Sequence, residues 1–379
     1  MLGFDRGVQT SAQANRKVSA GVSDLLRNIP SDIERRQSQP LPTIFQRYKS
    51  LIDSSLRKSL ANTTLSAYSM LRYSMGWEDT DGSPMVATQG KALRPTLCLL
   101  ACEATGGRIE KALPSAISLE LIHHFSLIHD DIQDRDQTRH HRPTIWAVWG
   151  EPKALTVGNI MRGIANMSLW KLADEDLSPE EILNLTSLLT NAYLEMIEGQ
   201  YLDISYEGSH NISIADYLEM ISKKTGALIR CALCLGALAS TRNEPIAQAF
   251  LEFGRSLGFI FQIQDDVLGI WGQPNTTGKP VGADILRKKN TLPVVFTMSE
   301  TRGTDRKILQ EIYNGPVIGD EEISSVLDIM DRVGAKQYAN DLAIQHHERA
   351  MNSLDSIKLV SDFQKDFKDL TNFLLIRQH

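Results

Sequence analysis

This chain of 379 residues holds only four cysteines, and nothing in it suggests a disulfide scaffold. Cys98 with Cys102 and Cys231 with Cys234 lie in apolar runs, CLLAC and CALC, without further Cys or His at zinc-ligand spacing. They read as small buried side chains, and free thiols of this kind fit a reducing cytoplasm. Net positive charge is also missing. The formal charge is −6 with a pI near 5.9, so no basic field invites nucleic acid. Long uncharged apolar runs are absent: no stretch reaches the roughly 18–20 residues of a membrane span, and the run after Gly226 is broken by Arg230. The first residues, MLGFDRGVQTSAQANRKVSAG, lack the apolar segment of a signal peptide. A soluble cytoplasmic protein without a transmembrane segment is expected. Alternating β-branched runs are nearly absent, as are a GxGxxG turn, a P-loop and any Ser/His/Asp or Cys/His nucleophile pattern.

Hydrophobic residues make up 42% of the chain, ample for a large core. Residues 1–40 are polar with both charge signs, and predict an N-terminal extension holding at most a short helix around Val18 to Arg27. Helical spacing dominates residues 41–379. In LPSAISLELIHHFSLIH and PEEILNLTSLLTNAYLEMIEGQYLDI, apolar residues recur at three- and four-residue intervals. Helix stops fall at EATGG (103–107) and WGQPNTTGKPVG (271–282). No repeat, low-complexity block or linker interrupts the pattern. The prediction is one all-α domain of about a dozen helices.

Two groups of aspartates carry the chemistry. Asp130, Asp131, Asp134 and Asp136 stand in LIHDDIQDRDQTRHHRP, and residues four apart share a helix face. A solvated charged face is the ordinary reading of such a run. Here, however, the acids continue the strongly apolar helix ELIHHFSLI, and like charges this close repel unless a cation compensates. Asp265 and Asp266 repeat the arrangement in GFIFQIQDDVLGIWG, with Gln262 one turn earlier. Mg²⁺ takes one or two carboxylates and completes its shell with water and phosphate. Two facing carboxylate helices could therefore clamp a diphosphate through several metal ions. Cations for such an anion are at hand in Lys91, Arg94, Arg139, Arg142, Lys223, Lys224, Lys279, Lys288 and Lys289. Singly each reads as a surface charge; together they offer charge-assisted donors in an acidic protein.

At this point the sequence resembles the polyprenyl synthetase family of head-to-tail trans-prenyltransferases. GKALRP (90–95), HHFSLIHDDIQDRDQTR (123–139), GQYLD (199–203), SKKTG (222–226), FQIQDD (261–266) and GKPVGADILRKKNTLP (278–293) occur in the family's order. The resemblance implies an isoprenoid synthase-type helical bundle around a central metal-diphosphate pocket, assembled as a homodimer. It implies that Asp130, Asp131 and Asp134, with Asp265 and Asp266, hold Mg²⁺, three ions per site. Lys91, Arg94 and His123 match positions holding the diphosphate of isopentenyl diphosphate. Arg139, Lys224 and Lys279 match contacts to the allylic diphosphate, and Thr225 and Gln262 match polar groups beside the reacting carbons. Lys289 matches a cation of the closing loop. Phe125 and Ser126, just before the first motif, match the floor of the elongation pocket, and favour a twenty- or fifteen-carbon product, geranylgeranyl or farnesyl diphosphate. On residue type alone, Phe125 reads better as an ordinary core residue, and His123 reads as easily as one.

Three departures from the family pattern stand out. Gly269 occupies the place of a third aspartate in the second motif, the usual Arg-Arg after the first motif is Arg139-His140, and Asn159 follows Gly158 where Gly-Asp is common. A histidine is a weaker, pH-dependent phosphate donor, although Arg142 could substitute. Two other readings therefore stay open. One is a class I terpene synthase cyclising a single allylic diphosphate; the other is a non-catalytic partner subunit. Retention of Lys91, Arg94 and His123 weighs against the first, and the intact aspartate pairs weigh against the second. Asn340-Asp341 with Glu348 resembles a cyclase metal motif, but Ile344 breaks it and the segment reads as a solvated helix face.

Overall fold

The structure is a computed structural model that describes residues 41–62, 65–85, 92–209, 211–274, 280–360 and 362–377. The expected extension over 1–40, including the helix near Val18, lies outside the described residues. Two short helices, α1 (Ile44–Arg47) and α2 (Lys49–Ser59), lead into α3 (Ser66–Ser74), α4 (Leu93–Ala104) and the long α5 (Ile109–Gln133). A small hairpin, β1 (Thr138–Arg139) with β2 (Arg142–Pro143), follows. Next come α6 (Ile145–Trp149), α7 (Glu151–Trp170), α8 (Pro179–Tyr206), α9 (Ile214–Ile221) and α10 (Ala227–Ser240). The chain then runs through α11 (Glu244–Trp271), α12 (Ala283–Leu286), α13 (Leu292–Glu300) and α14 (Gly303–Asn314). It closes with α15 (Asp320–Val333), α16 (Ala335–Asp355) and α17 (Phe363–Ile376). The all-α expectation holds. Short pieces such as α1, α6 and α12 make the helices more numerous than amphipathic periodicity resolves, because a single turn has too few residues to show a period.

Local chemistry explains where the long helices begin. Ser178 and Glu181 close a capping box ahead of α8, with Pro179 at the first helical position. Ser213 and Asp216 do the same for α9, and the Asn243 side chain accepts from Ile246 N at the start of α11. The stop expected at 103–107 is real: α4 ends at Ala104, Gly106 takes φ +85°, and Gly107 N bonds back to Cys102 O at 2.9 Å.

The core centres on α4, α5, α10 and α11. Helix α10 buries residues on every side, from Ala227 through Leu235 to Ala239. It can approach α4 closely because Gly236 carries no side chain; a Cβ there would lie 2.0 Å from Cys98 O. All four cysteines are free and buried, and burial pushes Cys102 up to about 12 and Cys234 to about 11. They are inert packing groups, as their apolar surroundings predict. No helix among the described residues is long and apolar enough to cross a membrane.

Candidate active site

The first aspartates terminate α5. Asp130 and Asp131 lie in its last turn and Asp134 is the residue that follows. That is the negative end of the helix dipole, and no basic residue of α5 lies there to offset it. The carboxylates therefore depend on cations from elsewhere. Asp131 is buried and takes one: Arg139 Nε donates to its Oδ1 at 2.7 Å. Asp130 is half-buried, and burial raises it to about 6. Lys224 and Arg139 pull it down, while Asp134 and Asp203 push it up. Burial, more than the neighbouring acids, holds this carboxylate high, and a hard cation would favour its charged form.

Lys224 arrives on a π turn. From Ile214 to Ser240 the chain is helical throughout, but Ser222–Gly226 widens to π geometry between α9 and α10. Such single-turn bulges re-aim the side chains they carry. Lys224 Nζ pairs with the Asp203 carboxylate of α8, and Thr225 Oγ1 donates to Gln262 Oε1 at 2.7 Å on α11. Burial alone would depress Lys224, but Asp203, Asp130 and Asp134 outweigh it and raise its pKa. The turn thus stands between the two aspartate groups. It fits there because Gly199 has no side chain; a Cβ would lie 2.1 Å from Lys224 N.

The second pair divides its labour. Asp266 is buried and accepts from Tyr217 OH, from Gln262 Nε2 at 3.0 Å and from Leu292 N at 2.8 Å. Burial nevertheless raises it to about 7. Asp265 is exposed and meets Arg377 Nη2 at 2.6 Å. The Arg377 guanidinium lies 4.2 Å from the Phe261 ring centroid. Asp265 thus has an oxygen open to solvent, whereas the oxygens of Asp266 are engaged within the fold. Among the described residues no three His, Cys, Asp or Glu form a ready ligand set. Asp130, Asp134 and Asp265 present hard oxygens in open arrangements, of the kind that Mg²⁺ completes with water and phosphate.

A cationic group flanks the first motif. Arg94 lies in the first turn of α4, with a buried Nε that has no protein partner. His123 is driven well below its usual pKa by burial and then by Arg94, His124, Arg139 and His140. A neutral imidazole among cations is a place where an anion would be welcome. His140 and His141 form the two-residue turn of the β1–β2 hairpin, both with positive φ (50° and 62°). Lys289 is exposed at the end of the 280–289 segment, whose Arg287 reaches Asp136 at 3.1 Å. Lys91 and Lys279 lie outside the described residues.

Phe125 is buried on α5, its ring 4.6 Å from His129 and 6.4 Å from Tyr193 of α8. Ser126 turns its hydroxyl back onto His123 O at 2.8 Å, leaving little bulk beside it. Gly158 of α7 receives His129; a Cβ there would lie 2.3 Å from Nε2.

Sequence reasoning missed several participants. Asp203 stood within GQYLD without an assigned role, although an acid facing SKKTG was the available signal. Tyr217 and Arg377 gave none, being 49 and 112 positions from their aspartates. The departure at Gly269 has a structural reason. A Cβ there would lie 1.9 Å from Asp284 Oδ2, so another acid already fills the space of the third aspartate's side chain. Asn159 is simply exposed on α7. The Asn340-Asp341 segment sits mid-helix in α16, with Asp341 accepting from Gln337, one turn away in the same helix.

Known proteins resemble this chain in sequence and fold. A sequence model described as polyprenyl synthetase matches residues 82–330. A (2E,6E)-farnesyl diphosphate synthase of Mycobacterium tuberculosis is 32% identical over 350 residues, covering 92% of this chain and 96% of its own. A geranylgeranyl diphosphate synthase of the same organism is 36% identical over 77% of this chain and 80% of its own length. The crystal structure of a polyprenyl synthetase from Streptomyces coelicolor superposes with a TM-score of 0.83 at 33% identity, covering 89% of this chain and all of that one. This chain belongs to the polyprenyl synthetase family.

Proposed function

We propose that the protein is a short-chain trans-prenyltransferase, joining isopentenyl diphosphate to an allylic diphosphate to give geranylgeranyl or farnesyl diphosphate. The observation that carries this reading is the π turn, which sets Lys224 and Thr225 between the two aspartate groups. Arg139 and Lys224 bind the allylic diphosphate, with Lys279 expected to join them. Asp130, Asp134 and Asp265 would hold Mg²⁺, expected as three ions, which would supply Lewis-acid charge to the leaving group. Asp131 and Asp266 act one step back, fixing Arg139 and the Gln262 end of α11. The allylic C–O bond breaks and diphosphate departs with the electron pair, its charge met by Arg139 and Lys224. Arg94 and His123, with Lys91, hold isopentenyl diphosphate so that its double bond attacks the allylic carbon. The resulting cation loses a proton, which the released diphosphate accepts. Thr225 and Gln262, bonded to each other, line the reacting carbons without offering a nucleophile. Phe125 closes the end of the chain pocket and Ser126 leaves depth beside it.

The exposed apolar faces of α7 and α8 support a homodimer, and four free thiols support a reducing cytoplasm. The test is incubation with Mg²⁺ and farnesyl diphosphate, with and without isopentenyl diphosphate, followed by mass spectrometry. A twenty-carbon diphosphate formed only with both substrates is the expected result. A cyclic hydrocarbon from farnesyl diphosphate alone would replace this reading with terpene cyclisation.

A further inference from the structure

Arg230 is the charge that interrupts the strongly apolar helix ALIRCALCLGALA, and the prenyltransferase reaction gives it no task. Its side chain is only 14% exposed. Nη1 donates to Ser222 O at 2.8 Å, at the first residue of the π turn, and Nη2 pairs with the Glu195 carboxylate on α8. We propose that Arg230, anchored by Glu195, is a positioning residue that holds Ser222–Gly226 in its widened form, and so aims Lys224 and Thr225 at the substrate. This rests on the prenyltransferase reading.

Bulged turns need external support. A π turn reaches five residues ahead instead of four, so its carbonyls depart from the regular ladder and its hydrogen bonds are poorer. Reversion to the α form would rotate the following side chains by about 100° relative to those before it, since one residue advances a helix by that angle. Lys224 could not then face Asp203 while Thr225 faces Gln262. The surroundings are shaped for the wide form. A Cβ on Gly199 would meet Lys224 N, one on Gly258 would lie 2.8 Å from Gly226 Cα, and one on Gly254 would lie 2.5 Å from Arg230 Cα. These glycines make room for the turn and its brace. Arg230 supplies the donor that fixes Ser222 O, and Glu195 fixes Arg230. Lysine could not serve both partners with one ammonium, whereas the guanidinium fork can.

A purely structural role for a buried guanidinium predicts a different outcome. Replacing a buried ion pair by an apolar side chain of similar volume is often neutral or stabilising, and Glu195, 41% exposed, can return to water. Arg230→Met should therefore melt at or near the wild-type temperature. Positioning predicts that its kcat falls about tenfold to a hundredfold, the cost of misplacing a reacting group by about an ångström. KM for isopentenyl diphosphate should stay unchanged, because Arg94 and His123 sit on other helices.

The experiment is steady-state kinetics and thermal melting of the full chain, wild type beside Arg230→Met, Arg230→Lys and Arg230→Ala. Millimolar guanidinium should restore kcat to Arg230→Ala, and ammonium at the same concentration should not. A well-folded Arg230→Met with kcat within twofold of wild type would overturn the proposal. So would a loss shared with isopentenyl KM that guanidinium does not restore. Should Arg230→Ala fail to fold, Glu195→Gln keeps the question open to measurement: a lowered kcat supports the brace, and an unchanged one removes it. Wild-type protein without product would overturn the underlying reading instead.

Discussion

Within each aspartate pair one carboxylate is bound up in the fold and one stays available. Which is which follows from neighbours that the pair itself does not reveal. Asp131 has Arg139, and Asp266 has Tyr217, Gln262 and the first N–H of α13. Burial still lifts Asp266 from 3.8 to about 7, so its native form takes up a proton that the unfolded chain takes up only at lower pH. A raised acid makes the native state the better proton binder between these values, so the stability that Asp266 contributes falls as pH rises from about 4 to about 7, opposite to histidines such as His123 and His346, which burial holds low. In chelator-treated protein, the melting temperature of the wild type should fall relative to that of Asp266→Asn over that window. A difference between the two proteins that stays constant with pH would assign the titration to other groups. Phe125 admits a separate test. Phe125→Ala removes the ring that packs on His129 and Tyr193, and should lengthen the product by at least one isoprene unit, read by mass spectrometry. An unchanged product spectrum would remove Phe125 as the floor of the pocket.

At the scale of elements, the helices were legible because amphipathic periodicity and caps such as Ser178–Glu181 are local. The aspartate groups were legible because each follows an apolar helical run, the first ending α5 and the second lying within α11. The π turn was not. One extra residue inside a continuous apolar helix leaves its three-and-four spacing nearly intact, so SKKTG reads as ordinary helix. The hairpin after the first motif was equally hidden, since His140-His141 lacks the glycine that marks such turns, although histidine tolerates positive φ better than most residues. The role of the π turn can be tested from its seat. Gly199→Ala puts a methyl 2.1 Å from Lys224 N and 2.6 Å from its Cα, where backbone rather than a flexible side chain must yield. Overpacking of this kind costs about 1–3 kcal/mol, and displacement of Lys224 should lower kcat about a hundredfold. Thermal melts and turnover measured together check both. A variant that turns over at the wild-type rate would show that the turn's position is not what sets the rate.

At the scale of the whole molecule, an apolar stripe among the described residues stays outside the core. Helix α8 exposes Leu194, Ile197, Tyr201 and Ile204, spaced so that they form one stripe, and Tyr201 is 70% exposed. Helix α7 beside it exposes Leu155, Met167 and Trp170, the last 71% exposed. The two helices are joined where Arg162 lies over the Tyr193 ring at 4.1 Å. Large apolar side chains grouped on neighbouring helices suit a surface that a partner covers, and a second copy would offer the same stripe in return. The protein should therefore run in solution at twice the 42.3 kDa mass of its chain. Ile197→Glu with Tyr201→Glu would place charges in the middle of that contact, where each would have to shed water without a partner. Light scattering should then report a single chain. The same helices carry Asp203, which pairs with Lys224, and Gly158, which seats His129. Loosening them should lower both melting temperature and turnover. A wild-type protein of one chain mass would mean the stripe meets something other than its own copy, and a dimer that survives both glutamates would move the interface elsewhere.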